Sequence, residues 1–501
     1  MTVQLMDGAG PETRGWYLKA ATAMLGVVVG STSAGQLPVV GPQIRIDPLG
    51  GTAAANETTA SASDANPGVI VAGWNDWRRS GGSELINSGF SISFDGGQTW
   101  ADFLLRPPAP NQSGVEGDPM TAFDPRTGNL WAGAISFSAG SNSGIYVARK
   151  EPTDLNFRPA VMARQAGGTD KCWMAAGPRP GEPDSTRLYV TYNEGVIWSD
   201  DMGDTWTSPN FIDFGIGFLP RVAPDGTLYV AYWDLGTGMN LARSTNGGQS
   251  FVIRTIATRM DVWGTQDGSR FPGTFRVPSM CYLDVDENTG RLYAAYFDTT
   301  NIINGQRNVD IYFTYSDDEG DSWTTPTILN NDGVPPGDQF FCWIEVDSRS
   351  RLHMVFFDSR HTDQNDNVTN GYFDAYYAYS DDEGATWAEF RLTPQSWNSN
   401  DDGLDRFNQF LGDYLGLAVA GNRAWPVYVD TSNGDPDTFT HVVELPIPAD
   451  ITGDGVVNVA DLLALLDAWG ACDDPDDCPE DLNGDGVVDV FDLLILLDAW
   501  G

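Results

Sequence analysis

Five short stretches decide how this chain folds: Ser93-Phe-Asp-Gly-Gly-Gln-Thr-Trp100, Ser199-Asp-Asp-Met-Gly-Asp-Thr-Trp206, Ser244-Thr-Asn-Gly-Gly-Gln-Ser-Phe251, Ser316-Asp-Asp-Glu-Gly-Asp-Ser-Trp323 and Ser380-Asp-Asp-Glu-Gly-Ala-Thr-Trp387. Each carries Ser, then Asp or Asn, Gly, Thr or Ser, and an aromatic residue at fixed offsets. Each follows an alternating, strand-like run such as Phe90–Ser93 or Val309–Tyr315. The pattern predicts a tight hairpin turn. The Asp accepts backbone N–H bonds, the Gly supplies a left-handed position, and the ring packs between sheets.

A wider unit surrounds each turn: strand, Asp-x-x-x-Gly-like turn, second strand ending in an acidic residue or Asn, loop, third strand, the turn just quoted, fourth strand. Second strands read VIVAGWND, RLYVTYNE, TLYVAYWD, RLYAAYFD, LHMVFFD and AWPVYVD, with NLWAGAIS as a degenerate member. That makes seven units between about residues 55 and 446, with a decayed turn near residue 149. The last unit, from Asp413, lacks the turn and a fourth strand, and a strand near Gln43–Ile46 is placed to close the ring against it. Four-strand units of this length arranged radially are β-propeller blades. The expected fold is all-β, a six- or seven-bladed propeller with seven favoured, spanning residues 40–446.

The quoted turns resemble the Asp-boxes of the sialidase (BNR-repeat) superfamily. The resemblance implies a propeller scaffold more strongly than an activity, because Asp-box propellers include both glycosidases and binding proteins. Sialidases have six blades, one fewer than the favoured count. Their Phe/Tyr-Arg-Ile-Pro motif, whose Arg grips a substrate carboxylate, is matched by Phe275-Arg276-Val277-Pro278. In that family the motif precedes the first Asp-box, whereas here it follows the third.

Strand order puts the Asp-boxes at one rim and gathers the ends of second strands at the opposite mouth: Asp76, Glu194, Asp234, Asp298, Asp358 and Asp430. Near the starts of first strands the same mouth is expected to collect Glu116, Asp118, Lys171, Arg221, Arg276, Asp413 and Tyr414. Arg78, Arg360 and His361 stand in adjacent loops, with Trp74, Trp77 and Trp233 nearby. Carboxylates, guanidiniums and tryptophans suit a sugar, and paired carboxylates can do glycosidic acid/base work when one has a raised pKa. The candidate substrate-binding residues are Arg276, Arg221 and Arg78. The candidate catalytic residues are Asp76, Asp118 and Tyr414. Against this stands a structural reading, since an Asp that recurs at equivalent strand ends is what a turn cap predicts.

The last 53 residues form a different segment. From Ala449 to Gly501 there are fourteen Asp or Glu and no Lys or Arg. Two stretches, GDGVVNVADLLALLDAWG from Gly453 and GDGVVDVFDLLILLDAWG from Gly484, repeat at an offset of 484 − 453 = 31 residues. Each opens with an EF-hand-like oxygen-ligand loop. Asp450, Thr452, Asp454, Val456 (through its carbonyl), Asn458 and Asp461 occupy positions 1, 3, 5, 7, 9 and 12 of the first. Asp481, Asn483, Asp485, Val487, Asp489 and Asp492 occupy them in the second. This spacing wraps hard oxygen donors around calcium, with Gly455 and Gly486 at the sharp turn. A leucine-rich helix should follow each loop, with Gly470 and Gly501 as stops. The duplication resembles a type I dockerin over residues 447–501. That resemblance implies two calcium ions, calcium-dependent folding and docking to a cohesin-type module. The Ser-Thr pair of many cellulosomal dockerins is replaced by Val459-Ala460 and Val490-Phe491.

Composition bounds the rest. Lys plus Arg is 28 and Asp plus Glu is 69, so the net charge is 28 − 69 = −41. Such a surface repels nucleic acid and anionic lipid. Three histidines in 501 residues, and no HExxH, GxSxG or GxxxxGKS pattern, exclude most zinc protease, serine hydrolase and P-loop readings. Arg14 and Lys19, the apolar run Ala20–Val29 and Ser31-Thr32-Ser33-Ala34 read as a secretory signal over residues 1–34. No stretch is long and apolar enough to span a bilayer. Of five cysteines, Cys472 and Cys478 could pair in one acidic loop, while Cys172, Cys281 and Cys342 read as small buried residues. The sequence therefore predicts a secreted or cell-surface, glycan-directed, sialidase-like propeller, an exo-glycosidase, tethered through a dockerin. The alternative is a non-catalytic carbohydrate- or protein-binding propeller in a surface assembly.

Overall fold

The computed structural model describes residues 37–78, 87–108, 116–136, 143–260, 277–278, 280–303, 306–332, 337–361, 371–401, 403, 410–447, 449–453, 456–472 and 478–500. The expected signal at 1–34 and the candidate Arg276 lie outside them.

Nearly all regular structure is antiparallel β. Seven sheets follow one another along the chain, and their first strands are Ala55–Ala62, Glu116–Phe123, Trp173–Arg179, Ile216–Val222, Tyr282–Val285, Gln339–Val346 and Gly416–Ala420. Each first strand packs against the first strand of the next sheet, and Gly416–Ala420 packs back on Ala55–Ala62. The sheets thus form a closed, propeller-like ring with the first strands innermost. All six second strands picked out by sequence, and Leu130–Ser136 as the seventh, pair with them in the expected order. The last sheet obtains its missing outer strand from the N-terminal side: Ile44–Arg45 pairs with Asp437–Thr440, Ile44 opposite Thr440.

The five predicted turns follow third strands, and the four built on Asp share one hydrogen-bond pattern. In the first, Asp95 accepts from the Thr99 amide at 2.8 Å and the Thr99 hydroxyl at 2.6 Å, and the Gly97 amide donates to Ser93 Oγ at 2.8 Å. The turns at Asp201, Asp318 and Asp382 repeat these distances within 0.1 Å. Bonds from the Thr99 hydroxyl and amide hold the Asp95 carboxyl below its ordinary range. The turn needs two successive left-handed residues where the sequence suggested one. The second is always Gly (φ 84 to 95), while the first is Gly96, Met202, Gly247, Glu319 or Glu383 (φ 58 to 72).

These turns also join neighbouring sheets. Trp425 Nε1 of the last sheet donates to Gly96 O at 3.2 Å, and Trp131 Nε1 donates to Met202 O at 3.0 Å. A Cβ on Gly97 would stand 2.5 Å from Trp425 Nε1, so only glycine lets the two sheets meet there.

The C-terminal segment has two helices, α1 (Val459–Asp467) and α2 (Val490–Asp498), and a two-stranded sheet, Gly470–Ala471 with Val487–Val488. Asn458 with Asp461, and Asp489 with Asp492, form reciprocal capping boxes that start the helices. The expected stop at Gly470 is corrected. α1 ends at Asp467 with Ala468 as its cap, and Gly470 opens the short strand instead. Gly501 lies outside the described residues. Leu465 and Leu496 are buried with Val457 and Val488, whereas Val459, Leu463, Phe491 and Leu494 stay exposed. Cys472 and Cys478 are disulfide-bonded, and Cys172, Cys281 and Cys342 are free and buried. No helix among the described residues is long and apolar enough to cross a membrane.

Candidate functional site

The inner strands do not run straight. Their first residues carry bulges, with register shifts between Asn56 and Thr59, Gly117 and Met120, Ile216 and Leu219, and Phe340 and Trp343. At or beside the equivalent position of the first, second, third, fourth and sixth sheets stand Glu57, Asp118, Lys171, Gly217 and Phe341, all with positive φ (47 to 71). A bulge re-aims its side chain and often borders a site. Left-handed backbone at a non-glycine residue costs on the order of 1–3 kcal/mol and needs surrounding structure to hold it. Its recurrence at Gly217 and Phe341 makes the bulge a property of the ring. What distinguishes the first three sheets is that they place ionisable groups there.

Those groups meet on the axis. Lys171 Nζ donates to Glu57 Oε1 at 3.1 Å and also to Asp413 Oδ2, which arrives from the seventh sheet. The Lys171 amide donates to Asp118 Oδ2 at 2.6 Å, and the Asp118 amide donates to Asn75 Oδ1 at 2.9 Å. Asn75 Nδ2 returns to Glu57 Oε2 at 2.6 Å. Lys171 Nζ lies 5.5 Å from the centre of the Tyr414 ring. All are at most 5% exposed. Three carboxylates around one ammonium leave a formal excess of two negative charges in a nearly dry place, where paired charges interact strongly.

Of the sequence candidates, the structure brings together Asp118, Lys171, Asp413 and Tyr414. Burial, then the Glu57 and Asp118 carboxylates, drive the Tyr414 hydroxyl well above its ordinary pKa, and that hydroxyl has no hydrogen-bond partner. Among the described residues the Tyr414 hydroxyl makes no hydrogen bond to Glu57, so the two do not form a nucleophile–base pair in this arrangement. Glu57 and Asn75 were missed. The signal for Glu57 was its position in the bulge, equivalent to Asp118 only once the extra residue is counted.

Three other candidates, Asp76, Arg78 and Arg221, are held in ion pairs. Asp76 and Arg78 belong to an ion pair within the first sheet. Arg78 Nε donates to Asp76 Oδ2 at 2.7 Å, its Nη2 to Asp102 at 2.7 Å, and its amide to Asp76 Oδ1 at 2.8 Å. The sixth sheet repeats this with Arg360, Asp358 and Glu389. Asp234, Asp298 and Asp430 likewise accept amides one or two residues on. Such repetition marks turn caps. Arg221 lies near the far end of its strand, not near the start. Its Nε donates to Asp284 at 2.9 Å and its Nη2 to Glu345 at 2.6 Å, which links the fourth, fifth and sixth sheets. Arg78 and Arg221 share no partner.

The candidate metal loops are built from oxygen donors. In the second, Asp481 accepts the Asp485 and Gly486 amides at 3.2 and 2.7 Å, and Asp492 accepts the Asn483 and Asp489 amides at 3.1 and 2.7 Å. In the first, Asp461 accepts the Thr452 and Asn458 amides at 2.9 and 2.8 Å. Asp461 and Asp492 are fully buried, and Gly486 has φ 86 as the turn requires. Among the described residues no three carboxylate, histidine or cysteine side chains are drawn into a cage, and the loop amides hold these oxygens instead. The oxygen-only donor set fits a hard cation. Asp454 and Gly455 lie outside the described residues.

No protein-family model and no curated protein matches the chain. Among solved structures, it is similar to a protein of unknown function from Dyadobacter fermentans DSM 18053, at a TM-score of 0.46 and 12% identity, covering 82% of this chain and 100% of that one. It is also similar to the Hadza microbial sialidase Hz136 (TM-score 0.42, 17% identity, 61% and 64% covered). A third is the intramolecular trans-sialidase from Ruminococcus gnavus (TM-score 0.39, 12% identity, 78% and 94% covered). At TM-scores below 0.5 these likenesses stand beside the geometry, and nothing below rests on them.

Proposed function

We propose that this chain is a secreted, seven-bladed Asp-box propeller of the sialidase-like kind that acts on glycans as an exo-glycosidase, with residues 447–501 as a calcium-dependent dockerin-like tether. The observation that carries the propeller reading is the convergence of Glu57, Asp118, Lys171 and Asp413 from four sheets on one axial point. Carboxylates accept hydrogen bonds from sugar hydroxyls and, in pairs, exchange the roles of acid and base. Lys171 holds two of them in place. Arg276, two residues before Pro278, is the candidate for gripping an acidic sugar's carboxylate. Burial keeps Tyr414 protonated, so the base or nucleophile in this reading is a carboxylate.

Asp450, Thr452, Asp454, Val456, Asn458 and Asp461, with their counterparts in the second loop, would hold two calcium ions. Bound calcium would neutralise the loop carboxylates and fix the helices. The exposed Val459, Leu463, Phe491 and Leu494 would then face a cohesin-type module.

A second reading is a binding propeller without turnover. It is favoured by one observation: Arg78 and Arg221 are already committed to separate ion pairs. The test is release of a fluorescent leaving group from a sialoside and a panel of neutral aryl glycosides by the full chain in calcium, beside Arg276→Ala and Glu57→Gln. Turnover that falls by orders of magnitude in both variants, with circular dichroism unchanged, supports the enzyme. Glycan-array binding without turnover selects the second reading. Neither turnover nor binding refutes the glycan assignment.

A further inference from the structure

The ring has a second mouth, at the end where the inner strands finish. From it a channel of about 200 Å³ runs inward between all seven inner strands, from an exposed rim at Asp64, Pro125 and Ser348 to Trp173 and Trp343. A space of that size holds several waters, or one sugar ring in their place.

Its walls are chemically divided. One side carries a chain of hydroxyls: Ser61 Oγ lies 2.8 Å from Thr121 Oγ1, which lies 3.2 Å from Thr59 Oγ1. The other carries Glu345 and Asp284 on the Arg221 guanidinium, with Trp343 Nε1 donating to Glu345 at 2.7 Å and Arg221 stacked 5.6 Å over the Trp343 ring. At the inner end Trp173, 3% exposed, has its indole N–H buried without a hydrogen-bond partner. A buried donor left unmet costs about 1–3 kcal/mol, so an acceptor placed there recovers that energy.

The charge pattern narrows the class of ligand. Arg221 is the cation on the wall, and its Nε and Nη2 are both taken by carboxylates. Burial pushes Glu345 up against the opposing pull of Arg221, with Asp284 adding to the rise. Asp284 and Glu345 outnumber Arg221 on the wall, and Asp64 and Glu287 line the way in. An anion meets repulsion at the entrance and no spare cation inside. A hydroxyl-rich neutral ring meets the Ser61–Thr121 hydroxyls and the Asp284 and Glu345 carboxyls, with Trp173 and Trp343 in the wall, a mixture of polar and aromatic groups that sugar recognition uses.

We propose that this channel binds a single neutral sugar residue, entering from the mouth opposite the axial lysine cluster, with Trp173 N–H donating to one of its oxygens. Its inner end abuts the axial cluster, the Trp173 ring packing 5.2 Å from that of Tyr414, but it is entered from the other mouth and Thr121 and Ala176 are not among the cluster's groups, so either reading can fail alone.

The experiment uses the full chain with ¹⁵N-labelled tryptophan, the Trp173 indole signal being assigned with Trp173→Phe. Glucose, galactose, mannose, N-acetylglucosamine and N-acetylneuraminic acid are titrated separately. The expected result is a saturable shift of the Trp173 N–H with at least one neutral sugar. Ala176→Leu, which fills the channel wall, should weaken it by more than about tenfold. Thr121→Val, which removes one hydroxyl from the wall, should weaken it by up to about tenfold. The two variants approach from different strands, so misfolding of one leaves the other to decide. No saturable shift with any neutral sugar overturns the proposal. So does a shift that survives both variants, or binding of N-acetylneuraminic acid as tight as that of the neutral sugars.

Discussion

Replacing Lys171 by Met tests the axial cluster directly. Methionine keeps most of the stem's volume, so little cavity energy enters. What disappears is the ammonium that donates to Glu57 at 3.1 Å and to Asp413, both at most 2% exposed. Breaking a buried ion pair by removing one partner costs about 3–5 kcal/mol, because the other charge is left uncompensated. Here two carboxylates lose the same cation, which puts the expected cost near the top of that range at pH 7.5.

The pH dependence carries the sign. Without Lys171, burial and mutual repulsion raise the folded-state pKa of Glu57 and Asp413 above the unfolded values. The loss is therefore full above the raised pKa and shrinks as pH falls and the pair takes up protons. Adding Asp413→Asn to Lys171→Met should recover part of the loss at pH 7.5 and little at pH 5. Urea unfolding followed by tryptophan fluorescence at both pH values measures all of this. A cost below about 1 kcal/mol at pH 7.5, or one that does not change with pH, would refute the picture of a dry, cation-locked cluster.

Three further outcomes are expected. Glu345→Gln should flatten a pH trend. A carboxyl pushed up by burial prefers its proton in the folded state, so wild-type stability falls from pH 5 to 8; the variant's should fall less steeply, because Asp47 and Asp338, each raised to about 7, still titrate in that range, and parallel urea series check the difference in slope. Gly97→Ala should cost about 2–4 kcal/mol through left-handed strain and the clash with Trp425, read as a lowered unfolding midpoint, whereas Asp204→Ala on an exposed turn should stay within about 0.5 kcal/mol. Chelation of calcium should reduce helical circular dichroism from α1 and α2 while the tryptophan-monitored unfolding of the sheets stays put; helix content unmoved by chelator counts against the calcium loops.

The ring of sheets was legible because its signals are local. Ser93, Asp95, Gly97 and Thr99 satisfy one another within a single turn, so the spacing alone carries the geometry. The axial site was half legible. Asp118, Lys171, Asp413 and Tyr414 were placed together by counting strands, but Glu57 was hidden in a run, Ala55–Ala62, that reads as an ordinary strand. A bulge adds one residue, and one residue exchanges the two faces of everything after it. Arg221 was misplaced for a related reason. Five residues along Ile216–Val222 carry a side chain about 16 Å from the strand's start, so assignment to the right strand still left it at the wrong mouth. Asp76 and Arg78 looked like site residues until the same trio recurred at Asp358, Arg360 and Glu389, a repetition visible only when the fourth strands are aligned in space.

The pairing of Ile44 with Thr440 also governs how the molecule is made. The partners are 440 − 44 = 396 residues apart, so the chain must lose the entropy of a very long loop before this contact forms. At the ribosome's pace the early segment waits about 20–80 s for its complement to be synthesised. Through that interval the third strand of the last sheet does not yet exist, and Ile44–Arg45 is an open edge able to pair with another chain. Closure of the ring therefore waits on its last sheet, and yield should depend on the lifetime of the open ring against the concentration of its neighbours.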